Sequence, residues 1–183
     1  MAEAVSTISF EAFLAGQREG GVRHEWVSGF AYAMAGGTER HDTMVEALRD
    51  VLGPGARAAG CRRFTGNRLV RTSSAAYYPD LVVVCGKAAD TYYETDASLI
   101  VEVRSPSTGD VDRREKAVAY ATLPSLGHYL LVDPYYRRID VGVRGRDGWL
   151  WETVGPGGVV LTPYGDIHLD ALYDEVEATA STA

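Results

Sequence analysis

Residues 78–103 read YPDLVVVCGKAADTYYETDASLIVEV, and two runs inside this stretch decide the fold. Leu81-Val82-Val83-Val84 and Leu99-Ile100-Val101 are short, continuous and mostly β-branched. A strand with water on one face alternates polar and apolar residues, whereas a strand covered on both faces does not. The two runs are therefore predicted to lie at the centre of a sheet with layers on both sides. Each carries an acid at its end: Asp80 opens the first, and Glu102 ends the apolar run of the second. Pro79 fits beside the first position of a strand, where a missing backbone donor does no harm.

An acid beside Val and Leu in a buried strand is costly unless it is paired or bound to a metal. Two such acids on neighbouring strands would make a hard-oxygen site, which suits Mg²⁺ or Mn²⁺ better than zinc. The alternative is a pair of strand-end acids in contact with water or an arginine. Spacing alone leaves both readings open.

Outward from this centre the chain reads as an α/β protein, an α+β arrangement around a mixed sheet. Phe10, Phe13 and Leu14 have helical spacing. Arg23–Val27 and Phe30–Met34 read as a hairpin about Ser28-Gly29. Thr38 is predicted to cap a helix running to about Leu52, where Gly53-Pro54-Gly55 stops it. Strands are expected near Cys61–Phe64 and Arg68–Thr72, turning at Gly66-Asn67. A helix from about Asp112 to Thr122 precedes a buried strand, Tyr129–Val132, and a half-exposed one, Arg137–Arg144. Trp149–Val154 and Val159–Leu161 are expected to continue as antiparallel strands joined by Gly-Pro-Gly-Gly. A short acidic helix near Leu169–Val176 closes the chain, and residues 178–183 are expected to fray. No repeat or long linker divides residues 1–183, so one domain is expected, its core spanning about 10–175.

The net charge of -7 counts against a strong, non-specific nucleic-acid binder. Its distribution softens the objection. Residues 147–183 hold seven acids and no Lys or Arg, which leaves 18 acids and 18 bases in the rest. Residues 57–71 carry five arginines and no acid, a run that either meets phosphate or forms a solvated surface. The start, MAEAVSTISF, lacks the basic and apolar regions of a signal peptide, and no apolar run suits a membrane span. A cytosolic protein is expected, with no membrane contact. Cys61 and Cys85 are far apart and outside any CxxC pair, so two reduced, partly buried thiols are expected.

The motifs, taken in order, resemble a known family. Pro79-Asp80 precedes an apolar strand. Glu102-Val103-Arg104-Ser105-Pro106-Ser107-Thr108 follows, then Asp112, Lys116 and Tyr120 on one helix face, then His128-Tyr129-Leu130-Leu131-Val132-Asp133. Upstream lie Glu25-Trp26-Val27-Ser28-Gly29 and Gly36-Gly37-Thr38-Glu39-Arg40-His41. This set resembles the Uma2 (DUF820-like) family of PD-(D/E)XK nucleases over about residues 10–175. The resemblance implies a restriction-endonuclease-like core with a central mixed β-sheet flanked by helices, an N-terminal hairpin and C-terminal antiparallel strands. It also implies metal-dependent cleavage of a nucleic-acid phosphodiester, with DNA the expected substrate. Asp80 and Glu102 would hold the metal, and a nearby lysine would orient water and stabilise developing charge.

The sequence departs from the parent motif at that lysine. Arg104 stands two residues after Glu102. Arginine stabilises charge but stays protonated, so it cannot act as a base. Lys116 is the expected substitute, although Asp112–Lys116 also fits an ordinary helix ion pair. His41 begins an apolar helix face. It reads either as a half-buried structural residue or as a proton-transfer or phosphate-contacting group at the site. Glu25 reads as a third metal carboxylate or as a polar hairpin residue. Ser105-Pro106-Ser107-Thr108 has no His/Asp partner at recognisable spacing and reads as turn and cap.

Two rival readings stay open at this stage. One is a catalytically inactive nuclease-fold binding protein, suggested by Arg104 and the acidic C-terminal region. The other is a hydrolase of smaller phosphate esters. A homodimer is expected from the resemblance and the half-exposed C-terminal strands.

Overall fold

A computed structural model describes residues 7–34, 36–105 and 110–180, apart from the side chains of 110–113 and 180. Pro106, Ser107, Thr108 and the Asp112 side chain fall outside the described residues, and with them the expected turn, cap and Asp112–Lys116 pair.

The predicted centre is where the sequence put it. The strands β3 (Arg62–Thr65), β6 (Leu81–Val84), β8 (Ala97–Val103), β9 (His128–Val132), β10 (Ile139–Gly145) and β11 (Gly148–Val154) form one mixed sheet in the order β11-β10-β9-β8-β6-β3. β6 pairs antiparallel with β8, and β8 parallel with β9. All four β6 side chains are buried, because alternate residues face two different cores. Leu81, Val83, Leu99, Val101 and Leu130 pack with α2 (Glu39–Ala58) and α4 (Leu169–Ala180). Val82, Val84, Ile100 and Tyr129 pack with α3 (Asp110–Ala121) and a second sheet.

That second sheet joins β1 (His24–Val27), β2 (Phe30–Ala33), β4 (Leu69–Arg71), β5 (Ala75–Tyr77) and β7 (Tyr93–Glu94) in the order β2-β1-β5-β4-β7. The β1–β2 turn has positive φ at both Ser28 (49°) and Gly29 (94°), the backbone a two-residue hairpin requires. Helix α1 (Phe10–Arg18) is capped by the Ser9 hydroxyl and seals a small core with Phe10, Phe13 and Leu14.

Five expectations are corrected. Helix α2 does not stop at Gly53-Pro54-Gly55 but continues through Pro54 to Ala58. The glycines serve packing instead: a Cβ on Gly55 would lie 2.0 Å from the Tyr164 carbonyl oxygen, and one on Gly53 would lie 2.9 Å from Arg63. Tertiary contact here overrides the helix-breaking tendency. The strands β3 and β4 do not pair with each other; the turn at Gly66-Asn67 carries the chain from one sheet to the other. β12 (Val159–Val160) pairs with β13 (Ile167–His168), not with β11. Helix α4 reaches Ala180, so the expected fraying does not begin at 178, and residues 181–183 fall outside the described residues.

The fifth correction concerns the cysteines. Cys61 and Cys85 form a disulfide, 4.2 Å apart at Cα. Arg62 is the register partner of Val84 on β3 and β6, so the flanking Cys61 and Cys85 face each other across the same pair of strands. Sequence separation hid a neighbour relation that only strand register reveals. Part of the arginine run is engaged within the fold. Arg62 and Arg68 grip Glu94, which is fully buried, and Arg71 lies 3.9 Å over the Phe10 ring.

Among the described residues no helix is long and apolar enough to cross a membrane.

Candidate functional site

The register of β6 and β8 builds the site. Leu81 opposes Val101, and continuing that register sets Asp80 opposite Glu102. Opposed residues in an antiparallel pair point to the same face with Cβ atoms about 5 Å apart. One bond anchors the geometry: the Val103 amide donates to Asp80 Oδ2 at 2.7 Å. Both acids open into a recess of about 650 Å³ whose walls include Glu25, His41 and Lys116. The hairpin brings Glu25 and the start of α2 brings His41. Lys116 and Tyr120 come from α3, one turn apart and on one face.

Around the two acids the side chains form a connected polar network. His41 Nε2 lies 3.2 Å from Asp80 Oδ2, and its Nδ1 lies 3.1 Å from Asp42. Tyr120 is fully buried and donates its hydroxyl proton to Glu102 Oε1 at 3.0 Å. Lys116 Nζ donates to Glu25 Oε1 at 2.9 Å and stands 4.0 Å from Glu102 Oε2. The Tyr78 amide also donates to Glu25 Oε1, at 3.4 Å. Asp80, Glu102, Glu25 and Lys116 are only 12–20% exposed, so each charge is felt strongly by the others.

The pKa shifts follow from that crowding. Burial pushes the Glu102 carboxyl well above its ordinary range; Lys116 opposes the shift, while Asp80 and Glu25 add to it. The hydrogen bond to Asp80 raises His41 to about 9, against the opposing effect of burial and with help from Asp42. Burial first, then the Glu102 charge, raises the Tyr120 phenol. The site has an excess of negative groups that cannot all ionise cheaply.

A divalent cation fits that deficit. Among the described residues no three His, Cys, Asp or Glu side chains close into a ready-made metal cage. Two carboxylates, with water and substrate oxygens completing the shell, is however the common way a protein holds Mg²⁺. Both proposed ligands supply hard oxygen, and neither cysteine is near: Cys85 lies at the far end of β6 from Asp80.

Arg104 borders the recess, but its guanidinium is held by Asp133 at 3.3 Å and Asp140 at 3.1 Å. Its charge is spent on β9–β10 rather than turned toward Glu102. Glu25 is met as the partner of Lys116. The sequence reading missed the Val103 amide and the Tyr120–Glu102 bond. It placed Tyr120 one turn beyond Lys116 on the same face, which was the signal available.

Comparison with known proteins agrees with this architecture. Residues 10–170 match the Uma2 family, described as "Putative restriction endonuclease". The uncharacterized protein slr1290 of Synechocystis sp. is 31% identical over 148 residues, covering 78% of each chain. A second uncharacterized Synechocystis protein, sll1609, is 28% identical over 127 residues, 64% of this chain and 70% of that one. A crystal structure from Anabaena variabilis, described as "a putative nuclease belonging to DUF820", superposes with a TM-score of 0.71. It covers 92% of this chain and 99% of that chain at 13% identity, a likeness of fold. With nearly the whole described core matched, the chain belongs to the Uma2 family of restriction-endonuclease-like proteins.

Proposed function

We propose that this protein is a Mg²⁺- or Mn²⁺-dependent nuclease that hydrolyses phosphodiester bonds, with DNA as substrate. The observation that carries the reading is the facing pair Asp80 and Glu102 in one recess, with the Lys116 ammonium 4.0 Å from Glu102. Family membership and fold support the nuclease class.

Asp80 and Glu102 would be the metal ligands. A metal bound there supplies Lewis-acid polarisation of a phosphoryl oxygen and a more acidic water. The Val103 amide and His41 fix the Asp80 carboxylate, and Tyr120 fixes Glu102. Lys116, held by Glu25, points its charge at the same recess, where it would orient the attacking water and offset charge on the phosphate. In this reading Lys116 takes the role that the parent motif gives to the position of Arg104, and Arg104 contributes through the Asp133–Asp140 network. Glu25 then acts through Lys116, with direct metal contact as the competing role.

The dimer belongs to the same proposal. β11 is an edge strand whose Leu150 and Trp151 are exposed, which supports pairing with a second copy; light scattering measures it.

Nicking of supercoiled plasmid with Mg²⁺ or Mn²⁺ tests the whole reading. The wild type should cut, and Asp80→Ala should lose cutting and calorimetric Mn²⁺ binding together. Persistent cleavage by Asp80→Ala removes the assignment. Metal binding without product favours the inactive binding protein, and hydrolysis of mononucleotide esters alone favours the smaller-substrate enzyme.

A further inference from the structure

The hairpin wall of the recess carries two residues that the cleavage chemistry does not use. Arg23 and Tyr32 both line it. Tyr32 is the register partner of Glu25, so its side chain stands on the same face of the hairpin as that acid. Arg23 lies two residues before Glu25 and shares that face by the period of the strand. Tyr32 is 55% exposed, a large aromatic turned to solvent beside a recessed polar site.

Charge separates Arg23 from most arginines of the chain. Arg62 and Arg68 are spent on Glu94, Arg104 on Asp133 and Asp140, and Arg137 on Asp170, Asp174 and Glu177. Arg23 instead donates to the Gly66 carbonyl and, at 2.8 Å, to Asn67 Oδ1. These partners are neutral, so its positive charge is not cancelled. They also hold the guanidinium at the rim, which lowers the entropy lost when it meets an anion.

The shape of the recess narrows the ligand. Its volume of about 650 Å³ falls in the range that encloses one small ligand, and Asp80, Glu102 and Glu25 inside it are at most 20% exposed. A rigid duplex presents its phosphates on a broad cylinder and gains affinity from many basic contacts at once. A chain of net charge -7, with Arg62 and Arg68 of its arginine run engaged by Glu94, offers few of them. An unpaired strand can bend a phosphate into the recess and lay a base on an exposed ring.

We infer that the β1–β2 wall is a subsite for single-stranded nucleic acid, with Arg23 on a phosphate and Tyr32 stacked on a base beside it. The inference rests on the nuclease reading and names its substrate class: unpaired segments such as flaps, gaps or frayed ends.

Fluorescence anisotropy in Ca²⁺ tests it, with a labelled single-stranded oligonucleotide and the same sequence as a duplex. The single strand should bind at least about tenfold more tightly. Tyr32→Ala should weaken single-strand binding about tenfold, and Tyr32→Phe should restore it. Arg23→Gln should weaken binding and reduce its salt dependence by about one phosphate contact, while Arg23→Lys keeps most of both. Calorimetric Mn²⁺ affinity should not change in Tyr32→Ala, which separates this subsite from the metal reading. Equal or better duplex binding overturns the inference. So do Tyr32→Ala and Arg23→Gln variants within twofold of wild type, or no binding of either probe. Loss of Mn²⁺ binding in the wild type overturns the metal reading alone, provided the single strand still binds.

Discussion

The Lys116 ammonium lies 2.9 Å from the Glu25 carboxylate, so the hairpin and helix α3 are tied together directly beside the proposed metal ligands. Both side chains are nearly buried, at 12% and 14% exposure, and the bond holds the lysine near Glu102. Glu25→Gln keeps the shape but removes the charge that positions it. Cleavage should fall by roughly 10- to 100-fold, the range for a supporting residue. Mn²⁺ affinity measured by calorimetry should stay within a few-fold. A parallel collapse of metal binding would make Glu25 a ligand in its own right.

Tyr120 tests the other carboxylate. Its hydroxyl is the donor described for Glu102 Oε1, in a position with no exposure to water. Tyr120→Phe leaves the ring packed between Tyr77 and Tyr129 and removes only the bond. Hydrogen bonds to charged groups contribute about 1.5–3 kcal/mol. Mn²⁺ binding should therefore weaken by about tenfold or more, with near-wild-type far-ultraviolet circular dichroism. Unchanged affinity would remove Glu102 from the metal site.

What the sequence revealed and what it hid follow one physical line. The runs Leu81–Val84 and Leu99–Val101 were legible because burial on both faces is written in consecutive residues. Asp80 and Glu102 were legible because each is an acid at the end of a buried strand, Lys116 and His41 entered through the family resemblance, and the fold does bring all four to one recess. Cys61 with Cys85, and Gly55 with Tyr164, were not. Each depends on which distant backbone lies alongside, and nothing local encodes that. Pro54 misled for the same reason: the contact with Tyr164 across α2 outweighs a local preference that normally ends a helix.

Acid stability should depend on Glu94. Burial alone would raise this carboxyl, but the hydrogen bonds from Arg62 and Arg68 outweigh it and the net shift is downward. A group depressed in the folded state binds protons more readily when unfolded. Its stabilisation is therefore complete above the ordinary carboxylate range and is lost as pH falls through the lower folded value. Glu94→Gln should cost about 3 kcal/mol near neutral pH, the low end for a broken buried pair, because Arg62 is partly exposed and regains water. Near about pH 3 the gap between variant and wild type should shrink. Urea midpoints at the two pH values measure it, and a gap that widens in acid contradicts the assignment.

The Cys61–Cys85 bond should separate stability from activity. It closes a loop with a sequence separation of 24, which constrains the unfolded chain by about 3 kcal/mol. It joins the end of β6 away from Asp80, and five residues of extended chain span roughly 17 Å. Cys61→Ser with Cys85→Ser, or reduction of the wild type, should lower the urea midpoint while plasmid cleavage at low temperature stays within about twofold. Thiol titration of the denatured, unreduced protein should find no free cysteine. Two titratable thiols would restore the reduced pair expected of a cytosolic protein. A bond that survives rapid acid trapping from cells would instead argue for an oxidising compartment.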